Sequence, residues 1–320
     1  MGYRLGMRYI PQPLRRLKRR LLRQPELPDF ELLRKQDGER EIIDRYRTRH
    51  KRELDLANPT TYSEKMYRRM VEVNRNGNPL FTRLADKLLV RDYIEERVGG
   101  RFLTPLLWSG ANPKKIPFDR LPAKCIAKVS HASARNLILK QPIDSAAVIS
   151  QLSEWLKQNH YWAMREGHYY DIEPQILIEG LLDDEPLDYR FWCFGGTVEL
   201  IQIDNNTHTL ISFYDRDWNR LAIVLRETGG VETDFDRPSN LDEMIQVSSS
   251  LSRDFDFVRV DLYSVHGKTY VGEMTFMPSG GMFRFKPEYW ESFFGEKWKS
   301  KVDSFSQVCT SHRPRWRAGF

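Results

Sequence analysis

A chain of 320 residues and 37.9 kDa is too long for one small module and suits a large multilobed enzyme or two to three stacked lobes. Its 40% hydrophobic, 12% aromatic and 29% charged residues exclude disordered, collagen-like and low-complexity chains. No apolar run reaches the roughly 18 residues of a spanning helix and no signal-peptide pattern opens the chain, so the expected location is cytoplasmic, neither secreted nor membrane-spanning.

The net charge of +6 is unevenly placed. Residues 1–24 hold Arg4, Arg8, Arg15, Arg16, Lys18, Arg19, Arg20 and Arg23 without an acid, which leaves the remaining chain slightly negative. A basic nucleic-acid groove draws Lys and Arg from the body of a domain, so no nucleic-acid partner is expected. Leu14, Leu17 and Leu21 recur at helical spacing among the basic residues. Two readings fit: a solvated basic arm, and a short helix on the anionic inner face of the cytoplasmic membrane. Cys125, Cys193 and Cys309 match neither a disulfide framework nor a CxxC metal knuckle and are expected to be reduced core residues.

Pro11, Pro13, Pro25 and Pro28 confine any helix of the arm to about residues 14–23. Glu39 to Lys51 reads as a charged helix, Ser63 as the cap of a helix through Val73, and Leu80 to Val98 as one further helix ended by Gly99-Gly100. Cys125 to Ser130 is β-rich, Ala146 to His160 is an amphipathic helix, and Gln175 to Glu179 is a strand. Tyr189–Phe194 and Val198–Ile203 form a hairpin at Gly195-Gly196, Leu241–Ser252 a helix, and Phe257–Tyr263 with Thr269–Met274 a second hairpin. Helices separating antiparallel hairpins indicate an α+β architecture.

Alternation along Phe257 to Tyr263 sends Arg259 and Asp261 to one face, and Glu273 and Thr275 share a face of the next strand. A three-residue loop centred on Gly267 sets Asp261 opposite Glu273 and Arg259 opposite Thr275. Opposed carboxylates need a counter-ion, and oxygen ligands without His or Cys favour Mg²⁺ over zinc. The competing reading leaves the two acids on opposite faces or in solvent.

Lys128 on its short apolar strand reads by itself first as a snorkelling surface lysine, with a phosphate-binding charge followed by a small-residue loop through Ser133 as the alternative. Glu179 fits either an exposed strand end or a contact to adenosine. Asp188 and Arg190 share a strand face, as partners of phosphate or substrate or as an internal ion pair. There is no Walker motif, GxGxxG or HExxH. Trp155, Tyr161, Trp162, Tyr169 and Tyr170 suit core packing or stacking on a sugar.

Taken together, Asn58-Pro-Thr-Thr-Tyr-Ser-Glu-Lys65, Leu84-Ala-Asp-Lys87 with Val90-Arg91, Ala127-Lys-Val-Ser-His131, Ile178-Glu179, Asp188 to Phe194, Val258-Arg-Val-Asp-Leu-Tyr263 and Gly272-Glu-Met-Thr-Phe-Met-Pro278 resemble the ATP-grasp superfamily. The resemblance is strongest to its TupA-like branch, named after a teichuronopeptide biosynthesis protein and common in bacterial surface-polysaccharide clusters. It implies ATP held between two α+β lobes: a basic arm at 1–30, a helical region at 31–117, a first lobe at 118–182 and a second, metal-bearing lobe at 183–320.

By the same resemblance, Lys87 and Lys128 contact phosphate, Glu179 lies on the adenine strand, Asp261 and Glu273 bind Mg²⁺, Thr275 stands where many relatives carry an amide ligand, and Arg259 steadies the oxyanion. Ser133 and Asp188 are added as nucleotide contacts and Arg190 as a catalytic one. The loop Ala132-Ser-Ala-Arg135 departs from the glycines expected there. The implied reaction is ATP-dependent ligation of a carboxylate and an amine through an acyl phosphate, joining an amino acid to a uronic acid or an acidic chain. Its rivals are a metal-dependent glycosyltransferase, suggested by Asp215-Arg-Asp217, Asp234-Phe-Asp236 and Asp254-Phe-Asp256, and a degenerate ATP-binding scaffold.

Overall fold

The charged stretch around Glu39 folds as α1 (Leu27–His50) in a computed structural model that describes residues 27–182, 186–205, 209–224 and 231–299. The basic arm at 1–24, with its expected helix, and Cys309 lie outside the described residues. The next helix, α2 (Tyr62–Asn76), is capped by Thr61 rather than Ser63. The Thr61 side chain accepts from the Glu64 amide, and Glu64 accepts from the amides of Thr60 and Thr61, a reciprocal capping box. Ser63 instead is wholly buried and donates its backbone N–H to Glu291 at 3.0 Å.

The single helix expected over 80–98 is two, α3 (Pro79–Ala85) and α4 (Val90–Val98). Asp86 breaks it, because Oδ1 accepts the Leu88 and Leu89 amides at 2.8 and 3.2 Å and so offers the backbone an alternative to the helical bond. That turn presents Lys87.

A four-stranded antiparallel sheet has the order β1-β4-β2-β3, with β1 (Leu106–Gly110), β2 (Lys124–Val129), β3 (Asn136–Lys140) and β4 (Ile176–Gly180). Its first strand comes from the segment assigned above to the helical region. α5 (Ser145–Leu156) covers this sheet through Val148 and Leu152, and α6 (Tyr161–Met164) follows.

The second sheet has six strands, β10-β9-β5-β6-β7-β8, built from β5 (Asp188–Phe194), β6 (Thr197–Asp204), β7 (Leu210–Tyr214), β8 (Val231–Glu232), β9 (Phe257–Val265) and β10 (Lys268–Thr275). It is antiparallel except for the β7–β8 pair, which fits the expected α+β class. The β5–β6 hairpin turns at Gly195-Gly196, both at positive φ as that turn demands. α7 (Leu241–Ser252) and α8 (Tyr289–Lys297) complete the layer. Trp192, Phe257, Phe285, Phe294 and Trp298 form its aromatic core with Tyr62 of α2, so the helical region and this sheet share one apolar interior. Tyr161 and Tyr169 are buried in packing contacts, whereas Trp162 is 46% exposed. Cys125 and Cys193 are buried free thiols.

Candidate active site

The β9–β10 register pairs Glu273 with Asp261 and Thr275 with Arg259, as the sequence predicts. It arises differently. The turn has two residues, His266 and Gly267, both at positive φ, so Val265 pairs with Lys268. That register alone would misalign the acids. A bulge between Val271 and Glu273 inserts Gly272 and restores the match. A Cβ at Gly272 would lie 2.9 Å from the Tyr263 ring and 3.2 Å from the Asp261 carbonyl, so the bulge is tight against its partner strand.

Arg259 grips Asp261 with Nε and Nη2 at 2.7 and 2.5 Å. The same Nη2 lies 3.8 Å from Glu273 Oε1 and donates to the Thr275 hydroxyl at 3.3 Å, and that hydroxyl donates to Glu273 at 3.2 Å. Both carboxylates thus converge on one guanidinium nitrogen. Burial lifts the Asp261 carboxyl to about 6 against the pull of Arg259. Burial also pushes Glu273 upward, but Lys87 and then Arg259 outweigh it and hold this carboxyl down at about 2. The donor set of two carboxylates and a hydroxyl is hard oxygen chemistry and fits a Mg²⁺-sized ion. Among the described residues no three His, Cys, Asp or Glu side chains group as a metal site, so the protein offers two carboxylates to such an ion.

Lys87 approaches this strand from the α3–α4 turn. Its Nζ lies 3.2 Å from Glu273 Oε2 and 3.1 Å from the Ala132 carbonyl, while its backbone N–H donates to Ser130 at 3.2 Å. Ser133 is the next residue of that turn, and Ala134 adopts φ 55°, the left-handed conformation that glycine takes at least cost.

Lys128 is not a surface charge. Its Nζ lies 2.9 Å from Glu179 Oε2, with 14% and 6% of the two side chains exposed. Arg91 Nη1 donates to Glu179 Oε1 at 3.0 Å, the Thr104 hydroxyl donates to the same oxygen at 2.6 Å, and Arg91 Nη2 donates to the Thr104 carbonyl at 2.9 Å. Arg91 falls in the Val90-Arg91 segment of the family resemblance, without a role given to it there, and Thr104 carries no separate signal in the sequence. Lys87, Arg91, Lys128, Glu179 and Gly272 line one cleft between the two sheets. Beside it on β5, Arg190 pairs in register with Asp261 and bonds Asp188 at 2.9 Å and Asp204 at 2.8 Å, so the internal ion pair weighed above is present.

Members of the three Asp-x-Asp pairs are engaged in turn and ion-pair contacts. Asp215 accepts turn amides, Asp234 pairs with Arg220, Asp254 with Arg97, and Asp256 with Arg69 and the Trp298 indole.

Two α+β lobes meeting at a cleft, lysines reaching it from the first sheet and its approach and paired acids from the second, place the chain in the ATP-grasp class. The family model described as TupA-like ATPgrasp matches residues 64–299, and the chain belongs to that family. No curated protein matches it. Among solved structures it is similar to D-alanine–D-alanine ligase from Bacillus anthracis complexed with ATP, at 15% identity and TM-score 0.39 over 65% of this chain and 61% of that one. It is also similar to L-amino acid ligase from Bacillus licheniformis, at 14% identity and TM-score 0.41 over 68% and 49%, and to phosphoribosylamine–glycine ligase from Thermotoga maritima, at 11% identity and TM-score 0.38 over 63% and 51%. The chain therefore spans about six tenths or less of the length of these structures.

Proposed function

We propose that this chain is an ATP-dependent carboxylate–amine ligase, with an acidic glycan or peptide as acceptor and an amino acid as amine, acting in assembly of bacterial surface polysaccharide. The observation that carries the reading is that Lys87 lines one cleft with Lys128 and Glu179 while its Nζ lies 3.2 Å from Glu273, which pairs with Asp261 on the neighbouring strand. The polysaccharide role rests on the kinship to the TupA-like family.

In the proposed reaction an acceptor carboxylate oxygen attacks the γ-phosphorus of ATP, and the bond to ADP breaks. The amine then attacks the acyl carbon, phosphate leaves, and a proton is lost from nitrogen to give the amide. Mg²⁺, when bound, would offset polyphosphate charge and would be held by Asp261 and Glu273, with the Thr275 hydroxyl beside them. Lys87 and Lys128 turn from Glu273 and Glu179 to phosphate oxygens, and Glu179, still held by Arg91 and Thr104, faces the nucleoside. Arg259 uses Nε and Nη2 on Asp261 and so keeps Nη1 for the tetrahedral oxyanion, an interaction whose loss generally costs roughly 10² to 10³ in rate. Arg190 fixes Asp188 and Asp204 beside the acceptor.

The test is ADP release from MgATP across a panel of uronic acids and amino acids, with Asp261→Asn as control. Release that requires both an acid and an amine, and that the control lacks, supports the reading. A protein that binds ATP but never shows paired dependence refutes it. We further propose that residues 1–24 hold the enzyme peripherally at an anionic membrane.

A further inference from the structure

The segment between α6 and β4 brings a further set of polar side chains to the acidic strand. Glu166 stands before the 3₁₀ turn Gly167–Tyr169, which is pressed against α2. A Cβ at Gly167 would lie 3.0 Å from the Val73 side chain and 3.3 Å from the Asn74 backbone nitrogen. Tyr169 packs with Ala85, two residues before Lys87. Its ring lies 4.9 Å from the His160 ring, edge-on, and 4.3 Å from the His168 ring, which in turn lies 6.4 Å from that of Phe276, the residue after Thr275. Burial first, then Glu273 and Glu166, hold the Tyr169 phenol well above its usual range, with Arg259 opposing and Asp261 adding. One hydroxyl thus feels Glu166 together with the opposed pair Asp261 and Glu273.

Glu166 is the unmatched acid of this region. Its side chain is 7% exposed, and its ionic neighbour among the described residues is His160 Nε2 at 3.6 Å, beyond hydrogen-bond reach. Glu179, Glu273, Asp261, Asp188 and Asp204 each face an arginine or a lysine instead. Arg165, next to Glu166 in the chain, pairs with Glu41 at 2.7 Å. A carboxylate withdrawn from water without a permanent cation or a donor is costly. The Tyr169 hydroxyl, on a buried residue, also makes no hydrogen bond among the described residues. Neither group is sealed from solvent as the Tyr62 and Tyr67 hydroxyls are. Polar groups so nearly buried are seldom left unmet in native proteins, so this set is one ligand short.

We propose that Glu166, with the Tyr169 hydroxyl and His160, binds the ammonium group of the amine substrate; the inference rests on the ligase reading of the cleft. A primary ammonium carries one positive charge and three N–H donors, which suit a carboxylate, a phenol oxygen and an imidazole nitrogen. An N-acylated amine has lost the charge and keeps a single N–H, so the subsite selects for a free amino group.

The experiment is calorimetric titration of the full chain, in magnesium and the non-hydrolysable ATP analogue AMP-PNP, with L-alanine, L-serine and L-glutamate and with the N-acetyl form of each. The wild type should bind at least one free amino acid and ignore its N-acetyl form. Glu166→Gln should weaken that binding by about tenfold or more, the usual scale for losing a charged hydrogen bond, and Tyr169→Phe by about threefold to fivefold. AMP-PNP affinity should be unchanged in Glu166→Gln, which separates loss of the subsite from loss of the fold. Equal binding of free and acetylated forms, no binding of any of the three, or unchanged amino acid affinity in Glu166→Gln overturns the subsite. A parallel loss of AMP-PNP affinity in that variant overturns it too, making Glu166 a folding contact. AMP-PNP binding without selectivity for the free amine leaves the ligase reading standing, and selective amine binding by a chain that ignores AMP-PNP does the converse.

Discussion

Lys87 Nζ lies 3.2 Å from Glu273 and 3.1 Å from the Ala132 carbonyl, so one side chain ties the turn of the first sheet to the acidic strand of the second. This ammonium is also the chief attraction holding the Glu273 carboxyl at about 2 against the opposing effect of burial. Lys87→Met should therefore act twice. It should lower stability by about 1–3 kcal/mol, because a partly buried carboxylate loses its partner, and it should weaken ATP binding at least about tenfold. Chemical denaturation and nucleotide titration check the two effects, and a variant normal in both would make the contact incidental.

Lys128→Ala separates nucleotide binding from folding more cleanly. Glu179 keeps Arg91 at 3.0 Å and the Thr104 hydroxyl at 2.6 Å, so removing Lys128 does not strand a buried charge. We expect a stability loss of only about 1–2 kcal/mol together with loss of measurable ATP affinity and of turnover. Unchanged nucleotide affinity by calorimetry would confine Lys128 to the ion pair with Glu179.

Gly272→Ala tests the register. The added methyl carbon would meet the Tyr263 ring at 2.9 Å and the Asp261 carbonyl at 3.2 Å, and one of those groups must move. The displacement falls on the strand pair that aligns Asp261 with Glu273, so turnover should drop more than stability does, by about tenfold or more against about 1–2 kcal/mol. A variant with lowered melting temperature and full activity would show that the bulge serves packing alone.

The alternation that sets Arg259 and Asp261 on one face of β9 was legible because a strand has a fixed period of two. The partner register was legible only in outcome. A two-residue turn of His266 and Gly267 plus a bulge at Gly272 yields the pairing that a three-residue turn would also yield, and no local sequence signal separates the two routes. The break at Asp86 escaped the helical pattern of Leu80 to Val98 because apolar spacing continues through it, while the Asp86 side chain competes for the Leu88 and Leu89 amides. Strand β1 is short and pairs only with β4, far along the chain, while β3 and β7 are short strands whose pairing with β2 and β6 no turn motif announces. Arg91 and Thr104 join the site only because folding carries β4 beside them.

Acid should destabilise the protein well above the ordinary carboxylate range. Burial, with His160 next, holds the His168 imidazole at about 3, and burial with Arg284, Arg52 and Arg49 holds His50 at about 4, both below the usual 6.5. Glu273, Lys87 and Arg69 also act on His168, Glu273 in the opposite direction. The folded state thus resists protons that the unfolded state takes up. Stability from these histidines is fully present above about pH 6.5 and is lost as pH falls toward 4 and then 3, on the order of 1–2 kcal/mol each by pH 5. Urea midpoints at pH 7.5, 6 and 5 should fall in that order, and His168→Gln should flatten the slope. Asp261, whose carboxyl burial lifts to about 6, takes up a proton in the folded state and offsets about 1 kcal/mol of this loss by pH 5. Identical slopes for the wild type and His168→Gln would therefore show that His168 is not kept neutral by the fold.

The arm carries the last expectation. Residues 1–24 hold eight basic residues and no acid, with an apolar strip limited to Leu14, Leu17 and Leu21. Three leucines bury little surface, so attachment to lipid must be mainly electrostatic, at roughly 1 kcal/mol per basic residue close to the membrane. Binding of that kind is screened by salt. The full chain should co-sediment with vesicles containing phosphatidylserine at about 0.01 M salt, where the screening length is about 30 Å, and be released at about 0.5–1 M, where it falls toward about 3 Å. A chain lacking residues 1–24 should stay in the supernatant while retaining ATP turnover on a soluble acceptor, since every cleft residue lies beyond residue 86. Vesicle binding by the truncated chain, or none by the full chain at low salt, would return the arm to a solvated tail.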